Sequence, residues 1–410
     1  MRLPPVLGHP SFRRLWLSNT GSALGDRIVL AAMALYVTDL TGSPSDLGLV
    51  FGAQALPMVV LLLAGGVWAD RLDRARLMAV TDVTRGLLQA LVAVLVLTGS
   101  ARVWHLVVIG LAFGAAEAFS RPAATGLLPQ TVEEDQVQEA RAVLSSSESL
   151  ANIIGPAIGT ALVVGVSAGA AFAADAATFF LSAVALIGIK ARARGTVAAE
   201  SHRKPASWRR ELREGFVEVR SRVWVWATVL SATQFLMMAL APLFVLGPTV
   251  AKEQYGSTGA FGVILVAFGA GSLAGGLVGL RWRPRRPLAV ALALCAIWPC
   301  VGIAMALGAP RGLVYVIAAG GSFGTAIFEI LWSTLLAQEI PPRALSRVSA
   351  FDWMGSLALL PVGYALAGPI GAAFGASEVL VAFGAITVLT TFAALLPRET
   401  RELELASRPA

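Results

Sequence analysis

Charge is scarce in this sequence. Of 410 residues, 14% are Asp, Glu, Lys or Arg and 56% are hydrophobic, where an average soluble domain is about 25% charged. Mean hydropathy is +0.73. So few polar side chains cannot cover a soluble surface of this size, and the chain reads as a polytopic membrane protein. Cysteine is scarcer still. Cys295 and Cys300 share one apolar run, which excludes a disulfide framework. The histidines, His9, His105 and His202, are scattered. Without a His/Cys cluster no metal is expected. Without a GxxxxGK[ST] run there is no phosphate cradle, so no cofactor is expected either. An intramembrane enzyme is the alternative from another class. It needs a nucleophile and a base inside the bilayer, and no histidine lies deep in an apolar run. A small-residue cleavage site is also missing after the first apolar run, so no signal-peptide removal is expected.

What the sequence does have is long apolar runs. A helix needs about 20 apolar residues to cross a bilayer core. Twelve such spans are expected, near 13–38, 46–69, 77–98, 103–123, 142–166, 170–190, 223–247, 257–280, 288–308, 312–335, 349–370 and 375–396. Phe113-Gly114-Ala115-Ala116 resembles Phe323-Gly324-Thr325-Ala326, and Leu127-Leu128-Pro129-Gln130 resembles Leu335-Leu336-Ala337-Gln338. Two sets of six spans are the parallel-repeat arrangement of many transporters. The expected fold is therefore all-α and integral to the membrane, with twelve transmembrane helices in two pseudo-symmetric six-helix bundles. Residues 1–190 would form the first bundle, 191–222 a cytoplasmic linker, 223–396 the second bundle and 397–410 a cytoplasmic tail.

Orientation follows from the basic residues. If both termini are inside, all but five of the 32 Lys and Arg fall in cytoplasmic segments. Arg27 and Arg85 lie within spans, and Arg102, Lys252 and Arg311 lie outside. This positive-inside asymmetry accounts for the net charge of +7 without a nucleic-acid partner. In the linker, Trp208, Leu212, Phe216, Val219 and Val223 recur every three to four residues. Arg209, Arg210, Arg213, Glu214 and Glu218 take the other face. An amphipathic helix on the inner surface is expected there.

Residues 65–76 read Gly65-Gly66-Val67-Trp68-Ala69-Asp70-Arg71-Leu72-Asp73-Arg74-Ala75-Arg76. Gly66, Asp70, Arg71 and Arg74 resemble the cytoplasmic signature of the major facilitator superfamily, with Asp73 where Gly is usual. Such a turn has a physical rationale: Gly lets helix ends approach, and an acid can face the positive N-terminal end of a neighbouring helix. Ser22-Ala23-Leu24-Gly25-Asp26, Leu40-Thr41-Gly42-Ser43-Pro44 and Thr81-Asp82-Val83-Thr84-Arg85-Gly86 look like its drug/proton antiporter branch. That branch contains the macrolide efflux proteins and the enterobactin exporter. Gly155-Pro156-Ala157-Ile158-Gly159 is similar to the Gly-Pro motif of drug/proton antiporters, with Thr160 in place of a second terminal glycine. The resemblance implies that Asp70 locks the outward-open state and that spans 1, 4, 7 and 10 line a central cavity. It also implies that spans 5 and 8 meet between the halves. Gly155, Pro156 and Gly159, with Gly271 and Gly275, are then interface residues, their small-xxx-small spacing allowing close packing.

Ionisable residues at the bilayer centre cost about 2.5–3.5 kcal/mol each on the insertion scale. Asp26 falls near mid-membrane in span 1, with Arg85 at comparable depth in span 3 and Asp82 one turn from it. A cluster of Asp26, Asp82 and Arg85 is expected, serving either as a structural ion pair or in proton coupling. Glu117 and Arg121 share a face of span 4, and Glu329 lies in span 10, its pseudo-equivalent. Glu117 and Glu329 are candidates for proton exchange or cation attraction, with structural salt bridges as the alternative. Asp175 and Glu148 rank below them. Gln234, Phe235 and Met238 in span 7 suit an adaptable apolar pocket.

The expected function is secondary active transport: proton-coupled efflux of amphipathic small molecules, of drug or antibiotic type, by alternating access. The alternative is export of an endogenous metabolite such as a siderophore. Expected partners are the lipid bilayer, a small-molecule substrate and protons, with no nucleic acid. A monomer in the bacterial inner (cytoplasmic) membrane is expected, both termini cytoplasmic.

Overall fold

Lipid cannot hydrogen-bond a peptide group, so a spanning chain must satisfy its backbone within each segment or in a closed barrel. This chain uses helices, and no strand occurs among the described residues. The computed structural model describes residues 5–189, 217–279 and 281–404, apart from the side chains of 63–64, 66–67, 69–70, 134, 342–347 and 350.

In the first half the helices are α1 (Pro10–Thr41), α2 (Pro44–Arg71), α3 (Arg74–Leu97), α4 (Val103–Leu127), α5 (Val137–Gly165) and α6 (Ala168–Leu186). The second half begins with α7 (Val223–Phe235), a π-turn (Leu236–Leu240) and α8 (Ala241–Tyr255). It continues with α9 (Gly259–Gly279), α10 (Pro287–Cys295), α11 (Cys300–Ala306), α12 (Arg311–Glu339), α13 (Pro342–Leu357), α14 (Leu360–Phe374), α15 (Ala376–Ala393) and α16 (Arg398–Glu402). Among the described residues, 11 segments are long and apolar enough to cross a membrane. The expected twelfth, α1, has 32 residues but carries Arg13, Arg14, Asp26, Arg27 and Asp39. Two expected spans are broken. Proline donates no backbone hydrogen bond, and the helix opens at Pro299, between α10 and α11, and just ahead of Pro361, between α13 and α14.

The sequence also fixes where helices stop. Gly42 ends α1 in the left-handed region at φ 65°, its N–H bonded to the Thr38 carbonyl; glycine adopts this conformation without steric cost. Asp73 caps α3, its carboxylate accepting from the Arg76 N–H at 2.7 Å. The departure from the family's usual glycine thus has a local role. Three arginines donate to carbonyls at helix C-termini: Arg14 to Ile187 at 2.9 Å, Arg74 to Gly126 at 2.5 Å and Arg222 to Glu339 at 2.6 Å. Cations are favoured there by the helix dipole.

The chain divides into two compact units, one of Met1–Gly42 with Leu49–His202, the other of Ser43–Gly48 with Arg203–Ala410. In the first, α1 packs on α5 and α6, and α3 packs on α4 and α6. Its core near the chain start gathers Phe12, Leu15, Met78, Leu127 and Leu186. In the second unit α9 packs on α12, and α10 packs beside α12. Its core gathers Trp224, Val225, Leu288, Trp332 and Leu335, with the Trp224 and Trp332 rings edge-to-face at 5.5 Å. Large apolar side chains face outward, Leu181 and Leu389 at 69% exposure each, while polar groups are buried inside. That inversion suits lipid as solvent. Of the expected linker helix, Trp208, Leu212 and Phe216 lie outside the described residues. Residues 217–220 are helical, and Val219 packs against the Trp224 core.

Candidate functional site

The centre of the first unit is rich in ionisable side chains. Asp26 falls at the middle of α1, Asp82 and Arg85 at the middle of α3, Glu117 at the middle of α4 and Asp175 at the middle of α6. Arg85 Nη2 donates to Asp82 Oδ1 at 2.5 Å and to Ser120 Oγ at 3.2 Å. Asp82 Oδ2 accepts from Ser182 at 2.5 Å, and Ser182 and Ser18 share a hydrogen bond at 2.6 Å. The guanidinium lies 4.3 Å from the Phe179 ring centroid and 5.7 Å from that of Phe113, a further stabilisation of a desolvated cation. Four helices therefore meet on one buried ion pair, and a buried pair is the firmer the more of its lone pairs and protons are satisfied; here Arg85 Nε is buried without a partner among the described residues.

The expected cluster forms, but Asp82 is the acid paired with Arg85. Asp26 is half-buried and makes no hydrogen bond or ion pair among the described residues, although Arg85, Glu117, Arg27 and Arg121 all act on its charge. Glu117 and Arg121 pair as the four-residue spacing on α4 predicts, at 2.6 and 2.9 Å. Glu117 is buried, and Arg121 reaches outward with 54% of its side chain exposed. In the second unit Glu329 is exposed on α12 and has no hydrogen bond or ion pair among the described residues. Asp352 lies close enough to act on it. Asp352 itself accepts from Trp332 Nε1 at 2.9 Å, a partnership the sequence does not signal.

The candidate pocket residues turn inward. Gln234 donates to Thr387 at 3.0 Å and accepts from Thr390 at 2.7 Å, both on α15. Met238 Sδ accepts from the same amide at 3.3 Å. Phe235 packs edge-on to Trp298 at 5.1 Å, and Trp298 stacks on Phe268 at 5.1 Å. Gln234 is thus a bridge between α7 and α15, its amide bonded within the unit.

The glycines expected at the interface also pack inside their units. A Cβ at Gly155 would meet Arg27, and one at Gly159 the Ile28 backbone, both on α1. A Cβ at Gly271 would meet the Ala319 backbone, and one at Gly275 that of Phe323, both on α12. The close approach each glycine permits lies inside its own unit. Pro156 is buried within the continuous helix α5. Of the signature, Arg71 is exposed at the end of α2 and Arg74 anchors the end of α4. The backbones of Gly66 and Asp70 lie in α2, and their side-chain surroundings lie outside the described residues.

The profile described as Major Facilitator Superfamily matches residues 15–356. Macrolide efflux protein A of Streptococcus pyogenes is 22% identical over 403 residues, covering 96% of this chain and 97% of that protein. Multidrug efflux pump Tap of Mycolicibacterium fortuitum is 27% identical over 411 residues, covering 94% and 95%. An uncharacterized MFS-type transporter, YfiS of Bacillus subtilis, is 32% identical over 187 residues, a match that spans 44% of that protein. Among solved structures, a bacterial homologue of the human lysosomal transporter Spinster superposes with a TM-score of 0.70 at 16% identity, covering 96% of each chain. A D-xylose–proton symporter superposes with a TM-score of 0.70 at 14% identity, covering 98% and 99%.

Proposed function

The chain belongs to the major facilitator superfamily and is a multi-pass membrane transporter, and from that premise we propose that it exports amphipathic small molecules of the drug and antibiotic class in exchange for protons. Efflux names on relatives matched over nearly their whole length support the direction and the substrate class. Alternating access is the mechanism, with the bilayer and protons as the other partners, in the bacterial cytoplasmic membrane. Both termini and the linker face the cytoplasm, and the chain works as a monomer.

The observation that carries the coupling is Asp26. Antiport needs a site that holds either a proton or the substrate, never both. An acid at the middle of α1 with no ion pair of its own can alternate between these states, while Arg85 stays committed to Asp82. Glu329 offers a second such acid in the other unit. Glu117 is held by Arg121 and can exchange that partner for a cationic substrate. Asp70 serves the inner gate. The adjoining turn is held by the Asp73 cap and by Arg74 on the α4 terminus, which ties a change at Asp70 to α3 and α4.

In inside-out vesicles an acid interior should drive accumulation of a macrolide or of a fluorescent lipophilic cation, and nigericin should abolish it. Accumulation indifferent to the gradient removes proton coupling.

A further inference from the structure

Asp82, Glu117 and Asp175 are buried acids of the first unit. The first two are ion-paired, and Asp175 has no ion pair among the described residues. It is 0% exposed in the middle of α6. Its Oδ1 lies 3.4 Å from the Thr178 hydroxyl, but that hydroxyl donates its proton at 2.7 Å to the backbone carbonyl of Asp175. Oδ2 is buried with no partner at all. A bare carboxylate oxygen in such surroundings is expensive, whereas a neutral acid is tolerated.

The charges facing Asp175 come from two helices. Asp26 acts on it from α1 and Arg85 from α3; Asp82, on α3, is already bonded to that Arg85. Arg85 is the cation that acts on Asp175, and its guanidinium is already bonded to Asp82, whereas Asp26 also feels Arg27, Arg121 and Glu117. Among the described residues Asp175 therefore has no cation of its own, which favours its neutral form. The packing brings the α1 backbone beside Asp26 against Asp175. Gly25 precedes Asp26, and a Cβ on Gly25 would collide with the Asp175 carboxylate and the Thr178 hydroxyl. Farther along the same α1–α6 contact, Ser18 and Ser182 bond to each other and Ser182 to Asp82. Residues 175, 178 and 182 share one face of α6, and residues 18, 21 and 25 share the opposing face of α1. A polar seam between the two helices thus ends at an acid that nothing in the packing requires.

We propose that Asp175 is a second proton-binding carboxyl of the first unit and passes its proton to Asp26 across Gly25. Transfer leaves Asp26 neutral and Asp175 ionised. Both face Arg85, so the charge around that guanidinium is the same before and after. The proposal rests on the proton-coupled reading above and adds where the proton is stored.

The test uses infrared spectroscopy on the full chain in lipid nanodiscs, reading the carbonyl stretch of protonated carboxylic acids. Wild type should show a protonated-carboxyl band that moves to lower frequency on hydrogen–deuterium exchange, because a relayed proton exchanges with solvent. Asp175→Asn should remove it, and Asp26→Asn should shift it. In liposomes, gradient-driven accumulation of the lipophilic cation should fall at least tenfold in Asp175→Asn. Melting temperatures report folding. If Asp175→Asn does not fold, Thr178→Val keeps the acid and removes its hydroxyl neighbour, and the band should shift. A band unchanged in a folded Asp175→Asn, or in Thr178→Val where that variant stands in, overturns the proposal even when wild-type transport follows the gradient. Wild-type transport that ignores the gradient overturns the proton-coupled reading itself, whatever the infrared result, and the carrier role of Asp175 falls with it.

Discussion

At the scale of single residues, the centre of the first unit separates acids that are held from acids that are not. Asp82 is held. Removing one member of a buried pair strands the other charge and costs about 3–5 kcal/mol, whereas replacing both with apolar groups is often close to neutral. Asp82→Asn should therefore lower the melting temperature sharply, and Asp82→Leu with Arg85→Met should recover most of the loss; thermal unfolding in detergent checks this. Asp26 is not held. Asp26→Asn breaks no hydrogen bond or ion pair, so its stability should stay within about 1 kcal/mol of wild type while gradient-driven export disappears. Glu329→Gln should behave in the same way. Glu117→Gln should show a modest stability loss, because it removes a two-bond pair from a buried acid while Arg121, half exposed, keeps other partners. Export assays run beside melting curves separate these outcomes. The sequence placed Asp26, Asp82 and Arg85 at one depth. It could not say which acid takes the arginine, because Asp82 reaches it within α3 whereas Asp26 must reach it from another helix, at a distance set by packing.

At the scale of elements, helix boundaries were legible and helix partners were not. Runs of apolar residues ended by Gly, Pro or Asp locate α1 through α6 within a few residues, since those features act locally. The breaks at Pro299 and Pro361 were legible too but were read through, because apolar character continues across both. Glycine faces carry no label for their partners. Gly155 and Gly159 approach α1, and Gly271 and Gly275 approach α12, partners inside the same unit. This can be tested on adjacent residues. A methyl at Gly275 would press on the Phe323 backbone, whereas one at Gly276 meets nothing within 4 Å. Gly275→Ala should destabilise by about 1–3 kcal/mol through overpacking. Gly276→Ala should stabilise by up to about 1 kcal/mol through helix propensity. Their melting temperatures should fall on opposite sides of wild type.

At the scale of the whole molecule, the bias of basic residues has two physical readings that agree. Positive charge is retained on the cytoplasmic side during insertion. Arg14, Arg74 and Arg222 also hold the C-terminal carbonyls of α6, α4 and α12. A cysteine introduced at residue 200, in a chain with Cys295 and Cys300 replaced, should stay unlabelled by an impermeant maleimide in intact cells and react in inside-out vesicles. Labelling from outside would invert the topology. The mid-membrane acids were visible from composition alone, because any charge in an apolar run stands out. The depth of burial of Asp175 was not, because it depends on Gly25 lacking a side chain on a different helix.

The π-turn at Leu236–Leu240 sets the phase between the two ends of the seventh span. Its closing bond runs from the Ala241 N–H to the Leu236 carbonyl, and such a turn holds one residue more than an α-helical turn. It has the form a helix takes after a single-residue insertion. Deleting one residue there would restore α geometry and rotate everything beyond it by about 100°. Gln234 is tied to Thr387 and Thr390 on one side. On the other side Phe244 and Gly247 rest on Phe261. The rotation would tear one of these attachments away, so the extra residue of this turn is held in place by the packing on both sides of it.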